Sequence, residues 1–585
     1  MAASNSPAEQ LITENLDIWT SAIKKRGSQG RGSSKKIELY GVKKLRELIL
    51  ELAVRGLLVP QDPNDEPASV LLEKIAAEKE QLIKDKKIKK PKKLDAIKDI
   101  EKFGKLPIGW EFVRLNDLGE WGAGATPRRG SSELYGGDIP WFKSGELVGD
   151  YISTSEETVT EEALKKASLR YNKAGDVLLA MYGATIGKTS ILEVPATTNQ
   201  AVCACTPFTG FSNIYLLTLL KAFRPKFISM GAGGAQPNIS REKIIATVIA
   251  LPPQAEQPRI VAKVDELMAL CDQLEQQTES SLLAHQTLVE TLLNTLLNAD
   301  QNSFDPAWER IAQHFDVLFT TEHSIDQLKQ TILQLAVMGK LVPQDPHDEP
   351  ASVLIEKIAA EKEQLIKDKV IKKQKPLPPI SEDEKPFELP KGWEWCRLPD
   401  IGDLARGKSK HRPRNDPSLY IDGKIPLIQT GDVSRASGVI HTYTALYNET
   451  GLAQSRLWPK GTMCITIAAN IADTSVLGFD ACFPDSVVGY TPFDKAIDVK
   501  YFEFFIRTAK SDLEKYAPST AQKNINLEIL SQVLVPLPPK KEISRIVTKI
   551  ENLITLCDRL KININQSQTT QLQLADAMAE QALNS

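Results

Sequence analysis

The chain has 585 residues, of which 42% are hydrophobic and 25% are charged, and its formal net charge is −3. This length exceeds what one hydrophobic core supports and predicts about three or four domains of an ordinary globular protein. The near-neutral total excludes a uniformly basic nucleic-acid binder but leaves room for local basic patches. Since we find neither a long uncharged apolar stretch nor a basic-then-apolar start, we expect a cytoplasmic protein without a membrane span.

The cysteines predict no disulfide framework and no zinc site. There are seven of them, an odd number, and they are scattered along the chain. The one close pair, Cys203 and Cys205, lies in a strand-like run, where small buried thiols are the usual occupants. We expect both to be structural, and we predict no metal ligand anywhere in the chain.

The main feature of the sequence is an internal duplication. Residues 58–90 recur as residues 341–373, and only three pairs of positions differ. Those pairs are Asn64 with His347, Leu72 with Ile355, and Lys87 with Val370. A repeat separated by nearly half of the chain indicates two similar halves rather than a short-period solenoid.

Helical patterns surround both copies of the repeat. Apolar spacing predicts a helix over residues 42–54 and another around residues 328–335, which Gly56 and Gly339 end. A second helix should open after residues 65–67 and finish in a lysine run. Residues 22–36 form a basic Gly/Ser-rich insert without a counterpart in the second half. We interpret it as a flexible linker, the alternative being a basic arm that contacts phosphate.

A globular domain follows each helical repeat. The domains open on the same phrase, at residues 106–115 and 389–398, and then share only short landmarks such as AQPNI at 235–239 and AQKNI at 521–525. Short β-branched runs bounded by Gly, Pro and Asp predict a mostly-β or mixed α/β domain of about 150 residues.

A long helix follows each globular domain, with an apolar stripe that turns polar in the middle. At about 40 residues such a helix would span roughly 60 Å, which suits a spacer. The predicted stripes are Ile260, Val264, Leu267, Cys271, Leu274, Leu288 and Leu292 in the first copy, and Ile546, Ile550, Leu553, Cys557, Leu560, Ile564, Leu574 and Met578 in the second.

This order of elements resembles the specificity subunit of type I restriction-modification enzymes, across essentially the whole chain. The resemblance implies an α+β fold, in which two mixed α/β target recognition domains are separated by long antiparallel coiled-coil helices in a pseudo-two-fold circular arrangement. It implies that each domain reads one half of an asymmetric bipartite DNA site with a non-specific spacer. It also implies a scaffold that binds two adenine methyltransferase (modification) subunits and, through them, restriction/translocase subunits of a host-defence system.

The predicted domain organisation follows the duplication. An N-terminal helical region covers residues 1–105, and a first target recognition domain covers residues 106–255. A central helical region with the second repeat covers residues 256–388. A second target recognition domain covers residues 389–541, and a C-terminal coiled-coil helix covers residues 542–585.

The resemblance implies recognition without catalysis. The sequence has no NPPY-like or DPPY-like tetrapeptide, no FxGxG loop and no credible nuclease carboxylate set. The P-loop-like segment at residues 183–190 has three residues where a P-loop needs four, and its counterpart in the second half lacks the lysine. We therefore expect no cofactor in this chain, and we expect the methyl donor S-adenosylmethionine in the partner methyltransferase.

Candidate DNA-binding residues are donors and acceptors on loops of a rigid frame. In the first domain they are Arg128, Arg129, Lys143, Ser144, Tyr182, Lys188, Gln236 and Asn238. In the second they are Arg406, Lys408, Lys410, His411, Arg412, Arg414, Gln429, Thr430, Asn470, Gln522, Lys523 and Asn524. A single Lys or Arg is more often a solvated charge or a phosphate contact than a base reader. The cluster at 406–414 differs, because six basic side chains without an acid among them should repel each other unless an anion binds.

Two other functions stay open at this stage. The chain would be an enzyme in its own right if it were active without partners, although the missing motifs argue against this. Alternatively, it would be a coiled-coil adaptor that joins two proteins without DNA recognition, which leaves two divergent β-rich domains unexplained. DNA binding by the second globular domain would separate recognition from the adaptor role.

Overall fold

The computed structural model describes residues 7–25, 37–90, 93–232, 237–371, 373, 376–411, 413–468, 470–515 and 525–584. The chain divides into two compact units, which follow the duplication. The first comprises residues 1–282 and 566–585, and the second comprises residues 283–565. The five domains predicted from the sequence are a finer division and stay a prediction.

The first unit joins a helical part to a β-rich part. Its helices are α1 (Pro7–Thr13), α2 (Leu16–Ser21), α3 (Tyr40–Arg55), α4 (Ala68–Lys84), α5 (Glu161–Lys166), α6 (Asn213–Ala222), α7 (Arg224–Gly231), α8 (Arg241–Ile245) and the start of α9 (Glu256–Asn298). Its strands are β1 (Lys24–Lys25), β2 (Ile37–Glu38), β3 (Glu111–Arg114), β4 (Gly119–Ala123), β5 (Tyr135–Phe142), β6 (Tyr151–Ile152), β7 (Glu157–Val159), β8 (Val177–Ala180), β9 (Thr189–Leu192), β10 (Thr197–Thr198), β11 (Val202–Pro207) and β12 (Val248–Leu251).

The second unit repeats this order. Its helices are the end of α9, then α10 (Phe304–Gln313), α11 (Phe315–Leu318), α12 (Glu322–Val337), α13 (Ala351–Lys367), α14 (Leu398–Ile401), α15 (Thr430–Arg435), α16 (Glu449–Ala453), α17 (Lys500–Lys515), α18 (Leu527–Gln532) and most of α19 (Lys540–Asn584). Its strands are β13 (Glu394–Arg397), β14 (Gly402–Arg406), β15 (Ile425–Leu427), β16 (Val439–Ile440), β17 (Ala445–Tyr447), β18 (Leu457–Trp458), β19 (Met463–Thr466), β20 (Thr474–Leu477), β21 (Ala481–Cys482), β22 (Val487–Pro492) and β23 (Leu534–Leu537).

Each unit contains one five-stranded sheet, and the two sheets have the same topology. The strand order is β4-β11-β8-β9-β6 in the first unit and β14-β22-β19-β20-β16 in the second. Neighbouring strands are antiparallel except for the last pair in each sheet: β6 runs parallel to β9, and β16 runs parallel to β20. The mixed α/β domains predicted from the sequence are therefore confirmed.

The helix boundaries of the repeat follow the sequence signals. Gly56 directly follows α3 and Gly339 lies two residues after α12, and both take the left-handed conformation, with φ of 73° and 71°. Only glycine adopts this conformation without strain, and a Cβ at Gly56 would also lie 2.8 Å from the Trp110 ring. These glycines therefore fix the turn that leads into α4 and α13, as predicted.

A buried polar contact fixes the start of each long helix. Glu256, at the start of α9, is fully buried and accepts a hydrogen bond of 2.9 Å from the Trp110 indole nitrogen. Glu542, near the start of α19, accepts the corresponding bond of 3.2 Å from Trp393. Burial raises the pKa of both carboxyl groups above the ordinary value. Because Trp110 and Trp393 belong to the phrase that opens both globular domains, at residues 106–115 and 389–398, that repeated phrase has a structural role in both units.

The long helices pack antiparallel, as predicted. In the first unit the start of α9 shares a hydrophobic core with residues 575–582 of α19, and in the second unit residues 289–296 of α9 share a core with the start of α19. Within each unit, ion pairs also join the repeat helix to the long helix that packs beside it. Arg46 of α3 pairs with Asp272 of α9 at 2.7 Å, and Lys329 of α12 pairs with Asp558 of α19.

The predicted stripes are correct only for part of each helix. Leu288 and Leu574 are 49% and 43% exposed, whereas Val289, Leu293 and Leu296 of α9 are buried. In α19 the buried positions beyond residue 570 are largely alanines, Ala575, Ala579 and Ala582. A straight helix drifts relative to a strict seven-residue repeat, so the buried face shifts along its length.

The α+β fold with two mixed domains and long helices is confirmed, whereas the pseudo-two-fold circular arrangement stays a prediction. Cys203 and Cys205 are buried as expected. Within the described residues, no helix is long and apolar enough to cross a membrane. Nor do those residues contain a cluster of His, Cys, Asp or Glu arranged to hold a metal ion.

Candidate nucleic-acid interface

Most of the candidate residues of the first unit lie on loops at one edge of its five-stranded sheet. Because β4, β11, β8 and β9 alternate in direction, β4 and β8 end where β11 and β9 begin. The loops 124–131, 181–188 and 199–201 therefore leave the sheet at the same edge. We call these loops, together with residues 143–144 and 237–240, the first loop edge.

Backbone hydrogen bonds join the segments of the first loop edge. The amide of Met181 donates to the carbonyl of Ala201 at 2.8 Å, and the carbonyl of Met181 accepts from Ile239 at 2.9 Å. The amide of Gly183 donates to the carbonyl of Pro237 at 2.8 Å. Loops far apart in sequence are thus held as one surface on the sheet.

Arg129 and Lys143 are brought together by an acidic residue. Both side chains pair with Glu157 of β7, and Lys143 also lies 2.9 Å from Glu156. These hydrogen bonds, the one to Glu156 first, raise the pKa of Lys143 to about 12. The Arg129 guanidinium lies over the Trp141 ring, with 5.0 Å to the centroid. Both cations are therefore charged and held in place before any ligand binds.

The other described candidates of the first unit lie nearby on the same edge. Tyr182 is 43% exposed and forms an antiparallel bridge with the exposed Asn238. Lys188 follows in the loop before β9, and Ser144 begins a short turn after Lys143. Arg128 is exposed, and no ion pair to it is present among the described residues. The predicted residue Gln236 lies outside the described part.

The P-loop-like segment at residues 183–190 does not have the geometry of a phosphate loop. A P-loop leads into a helix whose N-terminus faces the phosphate. Here Lys188 is followed by strand β9. The segment therefore lacks the loop-to-helix geometry of a P-loop.

The second unit has the corresponding edge on its own five-stranded sheet. β14 and β19 end where β22 and β20 begin, so the described parts of the loops 407–416, 467–473 and 483–486 leave the sheet on the same side. The amide of Ile525 donates to the carbonyl of Ile467 at 3.0 Å, as Ile239 does to Met181 in the first unit. We call these loops, with residues 406, 429–430 and 525, the second loop edge.

The cluster from 406 to 414 is partly neutralised within the chain, which corrects the reasoning from sequence. The carbonyl of Asp485 accepts bonds of 2.9 Å and 2.7 Å from Arg406, and its carboxylate pairs with Arg414. His411 lies 2.8 Å from Asp416. The missing acids are supplied from elsewhere in the loops, so self-repulsion alone does not require an external anion.

Two lysines of the second loop edge keep exposed charges. Lys408 and Lys410 are exposed, and their ammonium groups form no ion pair within the described part of the chain. Their backbone is nevertheless fixed, because Gln454 accepts from the amide of Lys410 at 2.6 Å and Lys408 accepts from Ser455 at 2.8 Å. The predicted residue Arg412 lies outside the described residues.

The amide candidates of the second unit are joined through one serine. The side-chain nitrogen of Asn470 donates to Ser434 at 2.9 Å, and Ser434 donates to the carbonyl of Thr430. Gln429 is exposed and precedes α15. Asn470, Thr430 and Gln429 therefore lie close together. The predicted residues Gln522, Lys523 and Asn524 lie outside the described residues.

Comparison with known proteins decides the family. The profile of the type I restriction modification DNA specificity domain matches residues 107–284 and 390–567. The type I restriction enzyme EcoEI specificity subunit of Escherichia coli is 40% identical, over 98% of this chain and 100% of the relative.

The chain belongs to the type I restriction-modification specificity subunits. The EcoAI specificity subunit of Escherichia coli is 38% identical, again over 98% of this chain and 100% of the relative. Among solved structures, the HsdS subunit of Thermoanaerobacter tengcongensis has 17% identity and a TM-score of 0.42, covering 82% of this chain and 98% of that one. A chain from a study of complex assembly and conformational transition in the type I R-M system has 17% identity and a TM-score of 0.45, with coverage of 82% and 99%.

The function of this specificity subunit is DNA sequence recognition in a type I restriction-modification complex. The cations of the loop edges were predicted from the sequence, but Glu157 and Asp485, which contact four of them, were missed. Neither acid carries a local signal, because each is far from its partner in sequence. Only the sheet topology brings these acids to the loops.

Proposed function

We propose that each loop edge reads one half of an asymmetric bipartite DNA site, with a non-specific spacer between the halves. The observation that carries this proposal is that each sheet gathers base-reading residue types on a single edge. Arginine can bind guanine in a bidentate fork, and Asn or Gln can bind adenine in the same way. Because the two edges carry different side chains on the same topology, they should read different sequences.

We also propose that α4 and α13 dock two copies of the adenine methyltransferase subunit. The exposed residues of these helices are identical, including Glu73 with Glu356 and Ala76 with Ala359. The opposite holds for α3 and α12, where the identical residues are buried or half-buried and the exposed ones differ. Packing alone explains identity in a core but not on a surface. If the same partner binds α4 and α13, the exposed residues of those two helices must stay identical, whereas the exposed residues of α3 and α12 can differ.

The specificity subunit itself recognises and does not catalyse. An adenine must leave the duplex to be methylated, and the pocket for the flipped base and S-adenosylmethionine belongs to the methyltransferase partner. The restriction/translocase subunits join through that partner. We place the assembled complex in the cytoplasm, where chromosomal DNA is its substrate.

The first experiment maps the methylation pattern. The chain, purified with its methyltransferase, is incubated with random-sequence DNA, and the modified adenines are located by sequencing. We expect one asymmetric, gapped sequence. Arg128→Ala should relax positions in one half-site only, and Lys408→Ala should affect the other. Methylation without a gapped sequence would refute bipartite reading.

Docking is tested by charge reversal on the repeated helices. Native mass spectrometry should give two methyltransferase subunits for the wild-type chain and one for either Glu73→Lys or Glu356→Lys. The double variant should bind none. Glu309→Lys, on the exposed side of α10, is the matched control. A double variant that still binds two subunits would refute docking through α4 and α13.

The adaptor function remains as a second candidate, because the exposed faces of α4 and α13 suit two protein partners with or without DNA. It differs in its prediction for the loop edges. If the chain is only an adaptor, Arg128→Ala and Lys408→Ala should leave both DNA affinity and the methylated sequence unchanged.

A further inference from the structure

The candidate cations of both loop edges share one arrangement, in which a single acidic residue holds two of them. In the second unit Asp485 contacts Arg406 through its carbonyl and Arg414 through its carboxylate. In the first unit Glu157 pairs with Arg129 and Lys143. The acids occur at different places in the fold, Asp485 in the loop before β22 and Glu157 in β7, so the arrangement is not a consequence of the duplication.

An acid in a DNA-binding surface has a cost, since a carboxylate repels phosphates and cancels part of the positive charge that drives non-specific binding. The Asp485 and Arg414 side chains are 36% and 46% exposed, so solvent weakens their pairing and it contributes little to stability. A gain in orientation explains why the acid is present. A guanidinium held in one position loses less conformational entropy on meeting a base edge than a freely moving one.

The geometry leaves the arginines able to read a base. Arg406 uses its Nε and one Nη nitrogen on the Asp485 carbonyl, which leaves the remaining Nη donors for a ligand. Arg414 uses one Nη nitrogen on the carboxylate. Each guanidinium carries five N–H donors, so each keeps a fork that matches guanine O6 and N7.

The backbone around Asp485 is itself fixed. The amide of Gly407 donates to the carbonyl of Val487 at 2.9 Å, and Val487 donates to Pro484 at 3.0 Å. A Cβ at Gly407 would lie 2.4 Å from the Pro484 carbonyl oxygen, so only glycine permits this close approach. The backbone of Asp485 is therefore held in place, and the mobile side chains of Arg406 and Arg414 are positioned by their contacts with this residue.

In the first unit an aromatic surface completes the arrangement. The Arg129 guanidinium lies 5.1 Å from the Tyr135 ring centroid and 5.0 Å from that of Trp141, while Glu157 holds its edge. Stacking restricts the plane of the guanidinium, and the ion pair restricts its rotation within that plane.

We propose that Asp485 and Glu157 are positioning residues for base reading, each for its own half-site, and that they set sequence specificity at the expense of non-specific affinity. This inference rests on the proposed reading of DNA by the loop edges. Neither acid contacts a base directly in this proposal; each acts through the cations that it holds. The class of target is a guanine-containing half-site, because each acid holds at least one guanidinium fork, that of Arg129 or that of Arg414.

The test compares specific with non-specific binding in the full complex with the methyltransferase. Affinities are measured on a duplex carrying the mapped site and on a duplex of equal length without it. For Asp485→Asn and for Glu157→Gln we expect the ratio of specific to non-specific affinity to fall by about tenfold. Non-specific affinity should stay equal or rise, because a negative charge has been removed.

Each variant is the other's control, since Asp485→Asn should relax only one half-site and Glu157→Gln only the other. Glu394→Gln removes an exposed acid from β13 and should change neither ratio. Asp485→Asn should cause no further loss of specificity in an Arg414→Ala background, because Asp485 acts through Arg414. A merely structural role predicts instead that both affinities fall together, and that result would overturn the proposal.

The remaining outcomes separate this inference from the proposed function. A wild-type complex without any sequence preference would remove the function and the inference together. If Arg414→Ala relaxes one half-site while Asp485→Asn leaves it unchanged, DNA reading stands and the positioning role is wrong. A full loss of specificity from Asp485→Asn in the Arg414→Ala background would also refute it.

Discussion

The buried acid Glu503 makes the stability of the second unit depend on pH. It lies on α17 with a side chain only 2% exposed, and it pairs with Arg507 at 2.6 Å. Burial, which exceeds the opposing effect of Arg507, raises the pKa of Glu503 from 4.5 to about 7. The corresponding position of α6 in the first unit is Leu217, two residues after Tyr215 as Glu503 is two after Tyr501. This position therefore carries no titratable group in the first unit.

The sign and size of the effect follow from proton linkage. The folded state binds the Glu503 proton more tightly than the unfolded chain does, so this stabilisation is fully present below about pH 4.5 and is lost as the pH rises through about 7. At about 1.4 kcal/mol for each tenfold change in proton affinity, the loss amounts to about 3 kcal/mol. Because the side chain is almost fully buried, solvent screening does not reduce this value appreciably.

The substitution Glu503→Gln removes the titration while keeping the shape of the side chain. We expect the free energy of unfolding of the variant, relative to wild type, to increase by about 3 kcal/mol between about pH 4.5 and about pH 8. Urea unfolding followed by hydrogen exchange in α17 measures this, and Glu394→Gln serves as the exposed control. A difference that does not change with pH, or that decreases as pH rises, would refute the reasoning.

Three further predictions use the two units as matched pairs or probe the DNA contact. Trp110→Phe and Trp393→Phe should each lower the stability of their own unit by about 2 kcal/mol, because a buried carboxylate loses a hydrogen bond. Urea unfolding with hydrogen exchange followed separately in each unit measures this. A single substitution that destabilises both units equally would contradict the prediction. Gly56→Ala and Gly339→Ala should each cost at least about 1 kcal/mol from left-handed strain, and unchanged unfolding midpoints would contradict the cap assignment. Arg128→Ala should relax one half-site and leave the slope of log affinity against log salt unchanged, and a slope reduced by about 0.9 without any change in sequence preference would assign the arginine to phosphate instead.

Local and repeated features of this protein follow from its sequence. The near-identity of residues 58–90 and 341–373 requires two similar halves, and the glycines after α3 and α12 end those helices because of their own backbone freedom. The family resemblance was also accessible, since it depends on the order of elements along the chain. Such signals are short-range or internal to the sequence, so no tertiary contact is needed to detect them.

Only the structure showed which residues of the long helices face the core. Counting apolar residues selected Leu288 and Leu574, which are exposed, and overlooked the alanines of α19, which are buried. Periodicity gives the direction of an apolar face only while the helix stays in step with its repeat. Alanine gives no strong hydropathy signal, although a small side chain suits close helix packing.

The sequence by itself determined the duplication, the alternation of helical repeats with mixed domains, and the residue types available for reading DNA. Only the tertiary structure decided which of those residues share a surface and which acids hold them. The physical reason is sequence separation: the contact between Arg406 and Asp485 joins the end of β14 to a loop 79 residues further along the chain, through the pairing of β14 with β22. A hydrogen bond across a sheet edge leaves no pattern in either segment alone, so the orientation of the reading side chains emerges only when the strands are paired.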